Sequence, residues 1–210
     1  NEGGLVLAGK GCLDDFGSVI PFRMVVGRRA LVPVICSENP LKKEILVKGI
    51  SREAFARIYQ SNVSWGSVLG TMDNSEIKAY MPGESCMNSY LEDFIGSRAS
   101  YGTKVDDPDA MIARIADNKY ALGFCSLACL KKLEEEGRSS ELTLVPIDHD
   151  SNGTVDVFEN IYNSCNDLGH GIYLGKYPGE LYGRMYVLAG KKPVEGTARD
   201  FMQWMIGDGQ

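Results

Sequence analysis

Histidine is nearly absent from this chain, and so is every residue grouping that binds zinc. His149 and His170 are the only two, and the six cysteines (Cys12, Cys36, Cys86, Cys125, Cys129, Cys165) lie too far apart for a zinc-site spacing. Six cysteines in 210 residues are also too few for a disulfide-built fold. They read as buried thiols, with one or two bridges open to an exported protein. No basic run exceeds Lys42-Lys43 or Lys191-Lys192, and the net charge is −6, which excludes nucleic acid as a partner. No apolar run is long enough to span a membrane, so attachment would need an anchor outside this chain. Internal repeats and low-complexity tracts are missing too. The chain starts at Asn1 rather than Met, which fits a processed or trimmed form. What remains is ordinary for a globular protein: 44% hydrophobic and 24% charged residues. The length suits one large domain or two small lobes.

One stretch stands out. Asp148-His149-Asp150-Ser151-Asn152-Gly153-Thr154-Val155-Asp156-Val157-Phe158-Glu159 matches the twelve-residue calcium loop D-x-[DN]-x-[DN]-G-x5-E. Calcium takes six to eight oxygens, and a short loop supplies them only by curling around the ion. Asp148, Asp150 and Asn152 offer side-chain oxygens, Thr154 its carbonyl, Asp156 a water-mediated contact and Glu159 a bidentate carboxylate. Gly153 permits the sharp turn. The competing reading is an acidic Asn-Gly surface turn. Glu141 to Ile147 reads as a strand, with Pro146 against an entering helix, and Val155 to Asn163 reads as a helix. A strand-loop-helix site of this kind is expected to act as a structural staple rather than a sensor.

The rest alternates. Strands are expected at Gly4–Ala8, Phe22–Val26, Ala30–Cys36, Ile77–Met81, Tyr120–Phe124 and Leu181–Ala189. Helices are expected at Arg52–Tyr59 (capped by Ser51), Tyr90–Ile95, from Asp107-Pro108-Asp109, at Leu127–Glu136 and at Thr197–Ile206. This is an α/β pattern. Crossovers are expected at residues 70–75 and 166–171, dividing the chain into a lobe of 1–75 plus 171–210 and a lobe of 76–170. The strand ending at Met81 runs into Pro82-Gly83-Glu84-Ser85-Cys86-Met87-Asn88-Ser89. A strand feeding a small-residue loop and a helix start is an anion seat; simple capping by Ser85 or Asn88 is the plainer reading.

In order, these pieces resemble a known family. Ser37-Glu38-Asn39-Pro40-Leu41, the helix at Ser51 and Ser64-Trp65 resemble a passage of the PstS-like phosphate-binding proteins of ABC transporters. Gly83 to Met87 lies where that family has SGSGT. Tyr120-Ala121-Leu122-Gly123-Phe124-Cys125-Ser126-Leu127 is similar to its AIGYVSL, and Tyr177 to Tyr186 to its YPLSRPLY. Asp208-Gly209-Gln210 is similar to its SPEGQ. The resemblance implies a type II periplasmic binding fold: two α/β lobes, with an oxyanion held in the cleft between them. It implies Ser85, Cys86, Asn88 and Ser89 in one anion loop and Gly9, Lys10 and Gly11 in a second. Cys86 and Met87 replace a glycine and a hydroxyl residue, and Asn88 replaces an arginine, which weakens phosphate capture. The first strand and helix of the family lobe have no counterpart.

The function expected is an extracytoplasmic, periplasmic solute-binding protein for a small phosphate-like oxyanion. It would be monomeric, stabilised by Ca2+, anchored as a lipoprotein or free, and partnered with an ABC transporter permease. The alternative is an interaction or sensory domain that kept the fold and lost the ligand. Catalysis would need Cys86 as a thiolate nucleophile with His149 or His170 as base, and His149 sits inside the calcium loop.

Overall fold

The computed structural model describes residues 4–9, 12 and 22–207. The chain falls into two compact units, Asn1–Arg29 with Tyr182–Gln210, and Ala30–Leu181.

In the smaller unit, β1 (Val6–Gly9) pairs antiparallel with β9 (Tyr182–Ala189), Val6 opposite Leu188 and Gly9 opposite Met185. The first part of β2 (Phe22–Cys36) belongs to this unit and lies next to β9. Helix α8 (Thr197–Ile206) closes it. β2 is one strand of 15 residues where two short ones were expected. Its burial pattern explains both readings: mixed up to Arg29, then fully buried from Ala30. The second part is a continuous apolar run of the kind covered on both faces.

The larger unit is a mixed sheet with helices against it. β2 runs antiparallel to β6 (Ala121–Ser126), and β4 (Lys78–Pro82) is parallel to β6 and to β5 (Thr103–Val105). β7 (Leu142–Leu144) pairs antiparallel with β2. A separate parallel pair joins β3 (Ile50–Ser51) to β8 (Ile147–Asp148). Helix α2 (Arg52–Gln60) starts where Ser51 accepts the Ala54 N–H at 3.3 Å, as its sequence position predicts. Its apolar face carries Phe55 into the core, 5.5 Å from Phe124 of β6 and 5.7 Å from Phe94 of α4 (Ser85–Ile95). Full burial of such rings stabilises by roughly 1.5–3 kcal/mol each. Gly123 is needed on β6 because Ile115 of α5 (Pro108–Ala116) packs where a Cβ would lie 2.6 Å from its Cδ1.

Several elements differ from the sequence reading. The expected lobe borders near 75 and 171 are not where the compact units divide. Residues 31–36 are tied into the sheet by β6 and β7, and β3 by β8, so 30–75 belongs with the middle of the chain. Lys42–Lys48 forms α1, which buries only Ile45 and gives a weak apolar signal. Trp65–Leu69 is a short helix α3 capped by Ser64, for which no helix was expected. α4 starts at Ser85, not Tyr90. No helix covers Val155–Asn163; the helix comes later as α7 (Cys165–Tyr173), across the expected crossover at 166–171.

Candidate functional site

Three parallel strands, β5, β4 and β6, end at a common edge, and each feeds a helix. β4 leads through Gly83-Glu84 into α4, β5 through Asp106-Asp107 into α5, and β6 directly into α6 (Leu127–Glu135). Ligands of open α/β sheets bind outside the carboxyl ends of the strands, where helix starts present N–H donors and a positive dipole end.

Two of the three starts are closed by their own side chains. Asp107 accepts from Ala110 N–H at 3.0 Å, and Ser126 accepts from Cys129 N–H at 3.2 Å. α4 is different: the N-cap Glu84 side chain makes no capping hydrogen bond, and Ser85 at the first helical position is exposed. Close by, the carboxylate of Asp106 rests against Gly83, where a Cβ would lie 2.0 Å from its Oδ1. Sequence reasoning missed Asp106. Its only signal is position, directly after a short strand and before the helix cap Asp107.

The other anion-loop residues are engaged within α4. Asn88 is buried and donates from Nδ2 to Glu92 Oε1 at 3.1 Å. Ser89 donates its hydroxyl to the Cys86 carbonyl at 2.9 Å. Cys86 is buried, and both it and Cys12 are disulfide-bonded, so no Cys86 thiolate exists to act as nucleophile. Cys36, Cys125, Cys129 and Cys165 are free thiols. Burial pushes Cys125 and Cys165 each up to about 12. Gly9 lies in β1 of the smaller unit; Lys10 and Gly11 lie outside the described residues. So does the closing Asp208-Gly209-Gln210.

The acidic loop follows β8. Carboxylate oxygens of Asp148, Asp150 and Glu159 lie within 4.8 Å of one another, and Asp148 and Glu159 are buried. The loop's own amides hold these groups. Asp148 accepts from Asn152 and Gly153 N–H at 3.2 and 2.9 Å, and Glu159 from His149 and Asp156 N–H at 2.6 and 3.2 Å. Gly153 takes φ +80°, the left-handed turn its position demands. Asn152 caps Thr154 N–H at 2.8 Å, and Asp156 caps Phe158 N–H at 2.7 Å. Burial raises the Asp148 carboxyl above its usual range, against the two N–H bonds, and the neighbouring Glu159 charge adds to the rise. The arrangement brings three carboxylates close together, and carboxylate oxygens are the ligand type a hard divalent cation takes. The loop is sewn to its surroundings by Val155 N–H to the Val47 carbonyl at 2.8 Å and by the Ser151 hydroxyl to Glu53 at 3.0 Å.

Residues 20–209 match the family model of the PBP superfamily domain. No curated protein sequence matches the chain. Among solved structures, a candidate phosphate binding protein from Planctomyces limnophilus is 18% identical with a TM-score of 0.56, covering 85% of this chain and 58% of its own. An ABC-type phosphate transport receptor from Vibrio cholerae is 15% identical (TM-score 0.61; 98% and 74%). A candidate phosphate ABC transporter substrate-binding protein from Clostridium perfringens, with bound phosphate, is 11% identical (TM-score 0.69; 98% and 73%). At these identities the likeness is one of fold, and the chain spans 58% of the length of the first of them.

Proposed function

Because the chain belongs to the PBP superfamily, we propose that it is an extracytoplasmic solute-binding protein of an ABC-type uptake system. It captures a small oxyanion of the phosphate class at the start of α4. The observation that carries this reading is the α4 start itself, without the side-chain cap that closes α5 and α6 at the same strand edge. Ser85 supplies a hydroxyl there, and the first turn supplies the dipole end. The fold is shared with the Vibrio cholerae phosphate transport receptor and the phosphate-bound Clostridium perfringens protein. The protein works as a monomer in the periplasm or its equivalent. Among the described residues no helix is long and apolar enough to cross a membrane.

The acidic loop adds a calcium ion, held by Asp148, Asp150, Asn152, the Thr154 carbonyl, Asp156 through a water, and Glu159. Its role is structural. The loop joins β8 to the segment before α7 and is bonded to α1 and α2, so a cation there braces one flank of the larger unit.

Calorimetric titration with inorganic phosphate tests the principal reading. Micromolar to submillimolar binding that Ser85→Asp weakens supports it, and no heat at millimolar phosphate overturns it. The second reading, an interaction or sensory domain without the ancestral ligand, is favoured by Asp106 against Gly83 and by Asn88 and Ser89 spent inside α4. Carboxylates beside a helix start oppose a dianion.

A further inference from the structure

The larger unit contains a second polar recess that shares no residue with the α4 start. It is an open cavity of about 290 Å³ between the end of α1, β3, α2 and the end of α3, with the acidic loop as its remaining wall. Two cations line it, Lys48 and Arg57. Lys48 is half-buried, and its ammonium donates to the Leu69 carbonyl at 2.6 Å. That bond fixes the charge in place and leaves two of its three donors unused. Arg57 is in the last turn of α2.

Among the described residues neither cation has a carboxylate partner, whereas Arg52, Lys78, Lys132 and Arg138 each do. The one carboxylate in the lining, Asp148, faces the amides of Asn152 and Gly153 within its own loop and pairs with neither cation. In a chain of net charge −6, two cations against one lining carboxylate, Asp148, leave the cavity a local field of the opposite sign. A guanidinium offers a planar fork for an oxyanion and an ammonium a point charge. The volume is at the lower end for ligand sites, which favours a small ion over a large metabolite.

We propose that this cavity is a second ligand site, binding a small tetrahedral oxyanion between Arg57 and Lys48. The Ser51 hydroxyl and the loop backbone form its floor. This goes beyond the solute site at α4 and does not depend on it.

The test is calorimetric titration with inorganic phosphate and, separately, with sulfate. It uses the full chain and its Arg57→Gln, Lys48→Met and Ser85→Asp variants, with the melting temperature of each recorded without ligand. The expected result is a binding event weakened about tenfold or more by Arg57→Gln and by Lys48→Met, but kept in Ser85→Asp. Arg57 is exposed, so its variant should melt with the parent. Parent-like affinity in Arg57→Gln overturns the proposal, and so does the loss of all binding in Ser85→Asp. Loss in Ser85→Asp alone would leave the α4 reading standing and remove this one; loss in Arg57→Gln alone would do the reverse.

Discussion

The Tyr177 hydroxyl donates to the Leu31 carbonyl at 2.7 Å, joining residues 146 positions apart in a fully buried bond. Leu31 lies at the start of the buried half of β2, one residue after Ala30, and Tyr177 comes just before the chain leaves the larger unit. The bond is therefore a clasp between the first and last segments of that unit.

Removing the hydroxyl leaves the Leu31 carbonyl without its partner in an apolar setting. Tyr177→Phe should cost about 1–3 kcal/mol. Urea unfolding of the variant against the parent, with an unchanged slope, checks this.

Alkaline pH should act on the same group and on Tyr59, which donates to the Tyr80 carbonyl at 2.9 Å. Burial holds both phenols well above the ordinary tyrosine value. Their contribution is complete below about pH 10, where unfolded tyrosine is still protonated. It is lost as pH rises past that value toward the folded ones, because only the unfolded chain then sheds its protons. Urea midpoints between pH 8 and 11 should be flat and then fall. A midpoint that rises over this range contradicts the burial argument.

Calcium should raise the melting temperature relative to EDTA, since it binds the folded loop alone. The affinity expected is on the order of 10⁻⁵ to 10⁻³ M. Asp148→Ala should abolish the rise and Glu159→Gln should reduce it. Magnesium should substitute poorly, because it demands near-octahedral geometry at shorter distances. Identical melting in calcium and EDTA would reduce the motif to an acidic turn.

Ser85→Asp separates a ligand seat from an ordinary helix start by the sign of two effects. A carboxylate in the first turn stabilises the helix by about 0.3–1 kcal/mol. The same carboxylate occupies the anion position and should weaken the phosphate-binding event at the α4 start tenfold or more, leaving any event at the Arg57–Lys48 cavity in place. A variant that melts higher yet binds phosphate as the parent does would mean that phosphate docks elsewhere.

Much of this was legible in the sequence because local chemistry agreed with the fold. Ser51 heads α2 as its position suggests, and the apolar run from Ala30 is buried on both sides. The failures come from competition that patterns do not show. Val155 to Asn163 has helical spacing, but Asp156 accepts the N–H groups of Phe158 and Glu159, and Glu159 accepts that of Asp156. Side chains thereby take amides that a helix would need. The glycines at 169 and 171 looked like a crossover, yet Gly171 is there so that Ile161 can pack where a Cβ would lie 2.6 Å away. At the α4 start, Ser85 was visible as a residue type. The capping state of the three neighbouring helices, which gives it meaning, is a property of the sheet.

The clasp between Tyr177 and Leu31 also sets a timetable. A ribosome adding roughly 5–20 residues per second releases β2 on the order of ten seconds before Tyr177 emerges. β6, which must cover Leu31 to Ile35, arrives well after β2 too. Through that interval the strand is an apolar, β-prone segment with no partner of its own. Contacts this distant in sequence also slow folding once the chain is complete. The topology thus favours a nascent chain that stays unfolded for long enough to be met by a chaperone.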